Sequence, residues 1–200
     1  PANPDALAGL RRGATADERW DVLADAFKHA PRDADNLAVL AAALEKLGRH
    51  AELAGVYVEQ LEYTKNDKDR ARLASVAAEL AETKLGDIDQ AIALHERVLA
   101  ATPGDEASQA ALSRLLETNQ RWPELAAALE RELASAPPRD KTRQMVLLNR
   151  LGTLRREKLN KLGDAALAYE SMLELSSAHL GALEALQDLY EKLDRQKDLL

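Results

Sequence analysis

Histidines and carboxylates are the groups in this chain that could carry out chemistry, and their spacing argues against catalysis. His29, His50, His95 and His179 lie far apart in the sequence. His95 and Glu96 are neighbours, so on a helix they would point about 100° apart and could not converge on one atom. There is no His-Glu-x-x-His pair, no glycine-rich phosphate loop and no Gly-x-Ser-x-Gly elbow. There is no cysteine either. That excludes disulfides and thiolate metal sites, and it leaves the redox compartment undecided. No catalytic residue, metal site or cofactor is expected, and the chain does not read as an enzyme.

The charges read better as recognition groups. Glu184, Asp188 and Glu191 fall at helical spacing, so their carboxylates share one face. Such a face attracts Lys- and Arg-containing segments, and the attraction weakens as salt rises. The formal net charge of -7 argues against a nucleic-acid partner, which would call for a dominant basic patch. The most basic segment, Arg155 to Lys161, spreads its charges around a helix and includes Glu157. The longest apolar run, Leu37 to Leu44, is far too short to span a membrane. The opening Pro-Ala-Asn-Pro is not a signal peptide.

The elements that would position these groups are all helices. The apolar content is mostly Ala and Leu, with one Phe, a composition that suits close-packed helices and not sheets. The periodicity predicts helices near 4–12, 16–29, 34–47, 50–64, 67–84, 88–101, 106–118, 123–135, 141–159, 164–175 and 179–193, with a further one beginning at 196. Asp33, Asp105 and Asp140 stand where a carboxylate satisfies free amides at a helix start. Asp87 with Gln90, and Thr15 with Glu18, have capping-box spacing. Pro123 fits a first turn, where a missing N–H costs nothing.

A repeated phrase organises these helices. Arg19-Trp20-Asp21-Val22-Leu23 returns as Arg49-His50-Ala51-Glu52-Leu53, then as Arg121-Trp122-Pro123-Glu124-Leu125, and last as Arg195-Gln196-Lys197-Asp198-Leu199. Between these stand Lys84-Leu85-Gly86-Asp87 and Lys161-Leu162-Gly163-Asp164. Each phrase separates two Ala- and Leu-rich stretches, as in an array of helical hairpins. The spacing makes 49–120 a duplicate of 121–194 within one repeat domain covering 1–200. The repeating Arg is placed to meet the loose carbonyls that end each first helix. Trp20 and Trp122 read as bulky wedges under the preceding turn. The unfinished helix at 196–200 suggests a piece of a longer solenoid. Leu186, Leu189, Leu193 and Leu199 are then expected to be partly uncovered, which would favour self-association through the ends or a mobile C-terminus.

Residues 86–103 resemble the second helix of a tetratricopeptide repeat. Gly86 stands at the turn, Ala91 at the helix crossing and Pro103 at the close, and Leu151-Gly152 resembles the Leu-Gly pair of that family's first helix. The resemblance covers most of the chain, most clearly 34–137. It departs where Gln120 replaces the turn Gly and where Leu53 and Leu125 fill the small crossing position. It implies an all-α fold, a right-handed superhelical solenoid of antiparallel helix-turn-helix repeats, with the first helix of each hairpin lining a concave face.

On that mapping the partner-binding face carries Asp35, Ala38, Ala42 and Glu45, then Ala107, Ala110, Arg114 and Glu117. Asn149, Thr153 and Arg156 follow, and last Glu184, Asp188 and Glu191. Ala38, Ala42 and Ala110 stand where the family's chaperone-binding members need Lys and Asn to clamp a peptide carboxylate, so that clamp is absent. The expected function is a non-enzymatic scaffold for a protein or peptide partner with a basic segment, with neither nucleic acid nor membrane insertion involved. Three readings compete with it: a purely structural assembly segment, a regulator docking on an enzyme, and an RNA-processing helical repeat that the net charge disfavours.

Overall fold

A computed structural model of the chain describes residues 4–193. Eleven α-helices, and no strand, are found among them: α1 (Pro4–Ala16), α2 (Trp20–Lys28), α3 (Ala34–Lys46), α4 (His50–Tyr63), α5 (Asp67–Leu80), α6 (Ile88–Ala101), α7 (Glu106–Thr118), α8 (Trp122–Ser135), α9 (Lys141–Glu157), α10 (Leu162–Leu175) and α11 (Leu180–Lys192). A π-helical turn, Ala81–Leu85, extends α5. The chain divides into two compact units, Pro1–Thr102 and Pro103–Leu200. The helix expected from 196 and the Arg195 phrase lie outside the described residues.

Local chemistry accounts for most helix starts. The carboxylates of Asp33, Asp87, Asp105 and Asp140 each accept from the amide three residues on, at 2.8 to 3.0 Å. Asn66 and His179 do the same work, the latter through Nδ1, which accepts from the Ala182 amide at 3.1 Å. Each bond satisfies one of the amides that a helix start leaves open.

The hairpin turns share one backbone device. Glu18, Gly48, Gly86, Gln120 and Asn160 adopt the left-handed conformation, with φ between 52 and 66°. After Glu18, Gly48 and Gln120, the next amide reaches back five residues: Arg19 to Ala14, Arg49 to Leu44 and Arg121 to Leu116, at 2.8 to 3.0 Å. This is the bond of a Schellman turn. After Gly86 and Asn160 the bond reaches back six residues, Asp87 to Ala81 and Lys161 to Arg155. The wider loop absorbs one extra residue, which is why a π turn closes α5.

These turns correct two sequence expectations. The Thr15–Glu18 capping box does not form, because α1 runs on to Ala16 and Glu18 is the left-handed turn residue itself. Gly86 and Gly163 are not equivalent either. Asn160 occupies the turn position, and Gly163 lies in the first turn of α10. Two of the repeating arginines also have another role. Arg49 and Arg121 are N-cap residues whose guanidinium groups fork onto Glu52 and Glu124, at 2.5 to 2.7 Å. The carboxylate three residues on is a stronger partner than a loose carbonyl, and it holds the Arg49 pKa above its ordinary value.

In the first unit, Leu23, Phe27, Leu37, Leu40, Leu44, Leu53 and Val56 form the core of α2, α3 and α4, with Trp20 packed against it. A second cluster joins Leu61 of α4 to Ala74, Ala77 and Ala78 of α5 and to Leu94 and Val98 of α6. Ala77, Ala78, Ala81 and Ala91 are completely buried, as the crossing role expected of Ala91 requires. In the second unit, Ala165, Ala166, Tyr169 and Met172 of α10 pack with Ala182, Leu186 and Leu189 of α11. Leu186 and Leu189 are therefore covered, contrary to expectation, and the exposed leucines of α11 are Leu180 and Leu183.

Gly152 is buried in α9 for a specific reason. A Cβ there would lie 2.9 Å from Cε2 and Cζ of Tyr169, so the space goes to an aromatic ring. The Tyr169 hydroxyl lies 3.1 Å from Thr153 Oγ1, which anchors the ring. Gly152→Ala should therefore destabilise the chain by about 1–3 kcal/mol through overpacking. In a Tyr169→Ala background the same change should become favourable, because Ala is the better helix former by about 1 kcal/mol. Chemical denaturation of the four variants measures the reversal. The same sign in both backgrounds would refute the steric account.

Candidate functional site

The first helices of the hairpins present the residues expected to bind. On α3, Asp35, Ala38, Ala42 and Glu45 are all exposed, while Leu37, Leu40, Ala41 and Leu44 turn inward. Asp35 lines an open groove of about 680 Å³ between α1 and α3, together with Asn36, Leu7, Ala8, Arg11 and Arg12, over Phe27 and Pro31. Further along, Glu45 and Arg72 of α5 act on the half-buried Tyr57 hydroxyl of α4. Burial and the Glu45 charge raise its pKa, and Arg72 opposes them.

In the second unit, Ala107, Ala110, Arg114 and Glu117 of α7 are exposed. An open groove of about 530 Å³ separates α7 from α9. Its α7 wall is Glu106, Gln109, Ala110 and Ser113, and its α9 wall includes Arg143, Val146 and Arg150. Ala110 thus lies in the groove, and Glu117 closes it by accepting a 2.8 Å bond from Arg150. Ala107 and Arg114 do not line it.

The residues expected on α9 lie on a different face. Asn149 is exposed, Thr153 contacts Tyr169 of α10, and Arg156 pairs with Glu157 at 3.0 Å within the field of Asp188 on α11. The groove face of α9 is Arg143, Val146, Leu147 and Arg150 instead. Their positions, three, four and seven residues apart, form one helical stripe. Val146, 61% exposed, is the apolar signal on this stripe that the family mapping passed over.

Arg143 joins three helices. Its guanidinium donates to Glu106 at 3.0 Å and Gln109 at 2.5 Å on α7, and to Glu132 at 3.1 Å on α8. Gln109 is buried, and its amide also donates to the Pro103 carbonyl at 2.6 Å. The bond to Glu132 is the chief reason that the Arg143 pKa rises above its ordinary value. One face of Trp122 carries a cation, with Lys158 Nζ 5.3 Å from the ring centroid. This contact adds to the wedge role expected of that ring.

The acidic end is less uniform than its spacing suggests. Glu184 and Glu191 are exposed, with Glu191 accepting only a 3.4 Å bond from Gln187. Asp188 is half-buried and bound to Lys192 at 2.7 Å. Two carboxylates, not three, remain open to a partner. Among the described residues, no three His, Asp or Glu side chains gather as metal ligands, and no helix is long and apolar enough to cross a membrane.

Arg143→Met should lower stability by about 2 kcal/mol, because it leaves the largely buried Glu132 and Gln109 without their charged donor. Arg150→Met, which breaks a more exposed pair, should cost less than about 1 kcal/mol. Urea denaturation midpoints of the two variants give the order, and equal losses would contradict it.

Residues 37–71, from α3 through α4 into α5, match the family model for the tetratricopeptide repeat. Among curated proteins, none matches the chain. Among solved structures, the chain is similar to a tetratricopeptide repeat protein from Parabacteroides merdae, at 15% identity and a TM-score of 0.44, over 98% of this chain and 75% of that one. It is also similar to MamA from Desulfovibrio magneticus, at 17% identity and a TM-score of 0.41, over 83% of this chain and 88% of that one. Residues 37–71 thus match a tetratricopeptide repeat, and the described residues on either side of them form further helical hairpins closed by left-handed turns.

Proposed function

We propose that this chain is a non-enzymatic scaffold that takes a protein or peptide segment along the exposed faces of its first helices. The observation that carries the reading is the groove between α7 and α9. Its walls combine the small Ala110, the exposed Val146 and the Arg150–Glu117 pair, so it offers apolar contact with charge at its edge. Grooves of this composition accept a segment whose apolar side chain is flanked by polar groups.

Two further features support it. Ala38 and Ala42 leave the α3 face smooth, as Ala107 and Ala110 do on α7. The turn residues Gly48 and Gln120 stand 72 positions apart, and Gly86 and Asn160 stand 74 apart. That spacing supports a duplication of 49–120 in 121–194, and with it a repeated binding face within one array.

The partner segment is basic where it meets α11. Glu184 and Glu191 supply the open carboxylates, and Asp188 serves Lys192 and the field at Arg156. Partners captured from the native lysate would be identified, and their affinity compared between the wild type and a Glu184→Gln, Glu191→Gln variant. The variant should keep its helical circular-dichroism signal, bind at least tenfold more weakly at low salt and lose most of the salt dependence. Unchanged affinity, or a footprint on α2, α4, α6, α8 and α10 only, would overturn this assignment.

A further inference from the structure

The chain itself carries a basic segment of the kind that α11 would bind. Arg11 and Arg12 on α1 are exposed, and neither makes an ion pair with a described residue. They line the groove of about 680 Å³ between α1 and α3, whose apolar part is Leu7, Ala8, Phe27 and Pro31. On α11 the complementary features share one exposed stripe. Leu180 is 73% exposed and Leu183 42% exposed, and Glu184 and Glu191 lie beside them. An apolar pair that open to water, next to two open carboxylates, calls for a partner that is apolar and cationic together.

We propose that α11 of one copy docks into the α1–α3 groove of a second copy. The inference rests on the reading of α11 as a surface for basic segments, and it names that segment. Leu180 and Leu183 would cover Leu7, Ala8 and Pro31, while Glu184 and Glu191 would meet Arg11 and Arg12. Asp33 and Asp35 on the opposite wall repel the incoming carboxylates, which sets the orientation with the glutamates turned towards α1. Glu184 and Glu191 are seven residues apart, about 10 Å along the helix axis. That distance is within the reach of two adjacent arginine side chains pointing apart. The two surfaces differ, so the contact is head-to-tail and grows into open chains unless it closes into a ring.

Sedimentation velocity over a concentration series tests this on the intact chain. The wild type should form species larger than a monomer that dissociate as salt rises. Arg11→Glu with Arg12→Glu should weaken association at least tenfold, and so should Glu184→Lys with Glu191→Lys. All four side chains are exposed, so both variants should keep the wild-type circular-dichroism spectrum and melting temperature. Mixed in equal amounts, the two variants should associate again, because each supplies the charge that the other needs. A wild type that stays monomeric, an association insensitive to both pairs of changes, or a mixture that does not recover would overturn the proposal. Hexalysine titration separates this failure from that of the parent reading. If hexalysine binds the wild type but not the Glu184→Lys, Glu191→Lys variant while no self-association occurs, α11 accepts basic segments and the partner is not a second copy.

Discussion

The array depends on how the backbone reverses between the two helices of a hairpin. One residue in the left-handed conformation, followed by an amide that reaches back to the last turn of the first helix, closes each of five turns. That geometry fixes where the second helix begins and hence which stripe of the first helix is covered. The inward positions then take Leu and Ala, and the outward ones are left to alanine, valine and charge. A shift of one residue at a turn would rotate the second helix by about 100° and bury a different set.

Two closures share this device, and they differ by one residue. The five-residue reach at Arg19, Arg49 and Arg121 makes a compact turn, and the six-residue reach at Asp87 and Lys161 accommodates one more residue. Small side chains and filled gaps then bring the helices together. Alanines do this between α5 and α6, and the space left by Gly152 holds the Tyr169 ring between α9 and α10. Arg143 fastens α9 to α7 and α8 at the head of the groove, so the same contacts that hold the second unit together also shape its open surface.

Features that depend on near neighbours were legible in the sequence. The caps at Asp33, Asp87, Asp105 and Asp140 each act on an amide three residues away, and helical periodicity identified Leu37, Leu40 and Leu44 as inward-facing. The turn at Glu18 was hidden because Thr15 and Glu18 also suit a capping box; only comparison with Gly48 and Gln120, the residues that precede Arg49 and Arg121, reveals it. Asn160 was hidden by the nearby Gly163, since the width of a turn is set by packing and not by the presence of glycine. The groove was half legible. Ala110 of the expected face lines it, whereas the α9 residues that line it, Arg143, Val146, Leu147 and Arg150, lie one face away from the expected Asn149, Thr153 and Arg156. Arg143 could not be found from spacing, because its partners Glu106 and Gln109 lie 37 and 34 residues away.

The left-handed turn is tested most directly by exchanging glycine and side chain at equivalent positions and measuring unfolding free energy. Gln120 holds φ at 56° and Gly48 holds it at 66°. Relief of the left-handed penalty should make Gln120→Gly more stable by about 1 kcal/mol, and Gly48→Ala should lose about as much. A Gln120→Gly variant destabilised by about 1 kcal/mol, as glycine is inside an ordinary helix, would contradict the account of how these hairpins close.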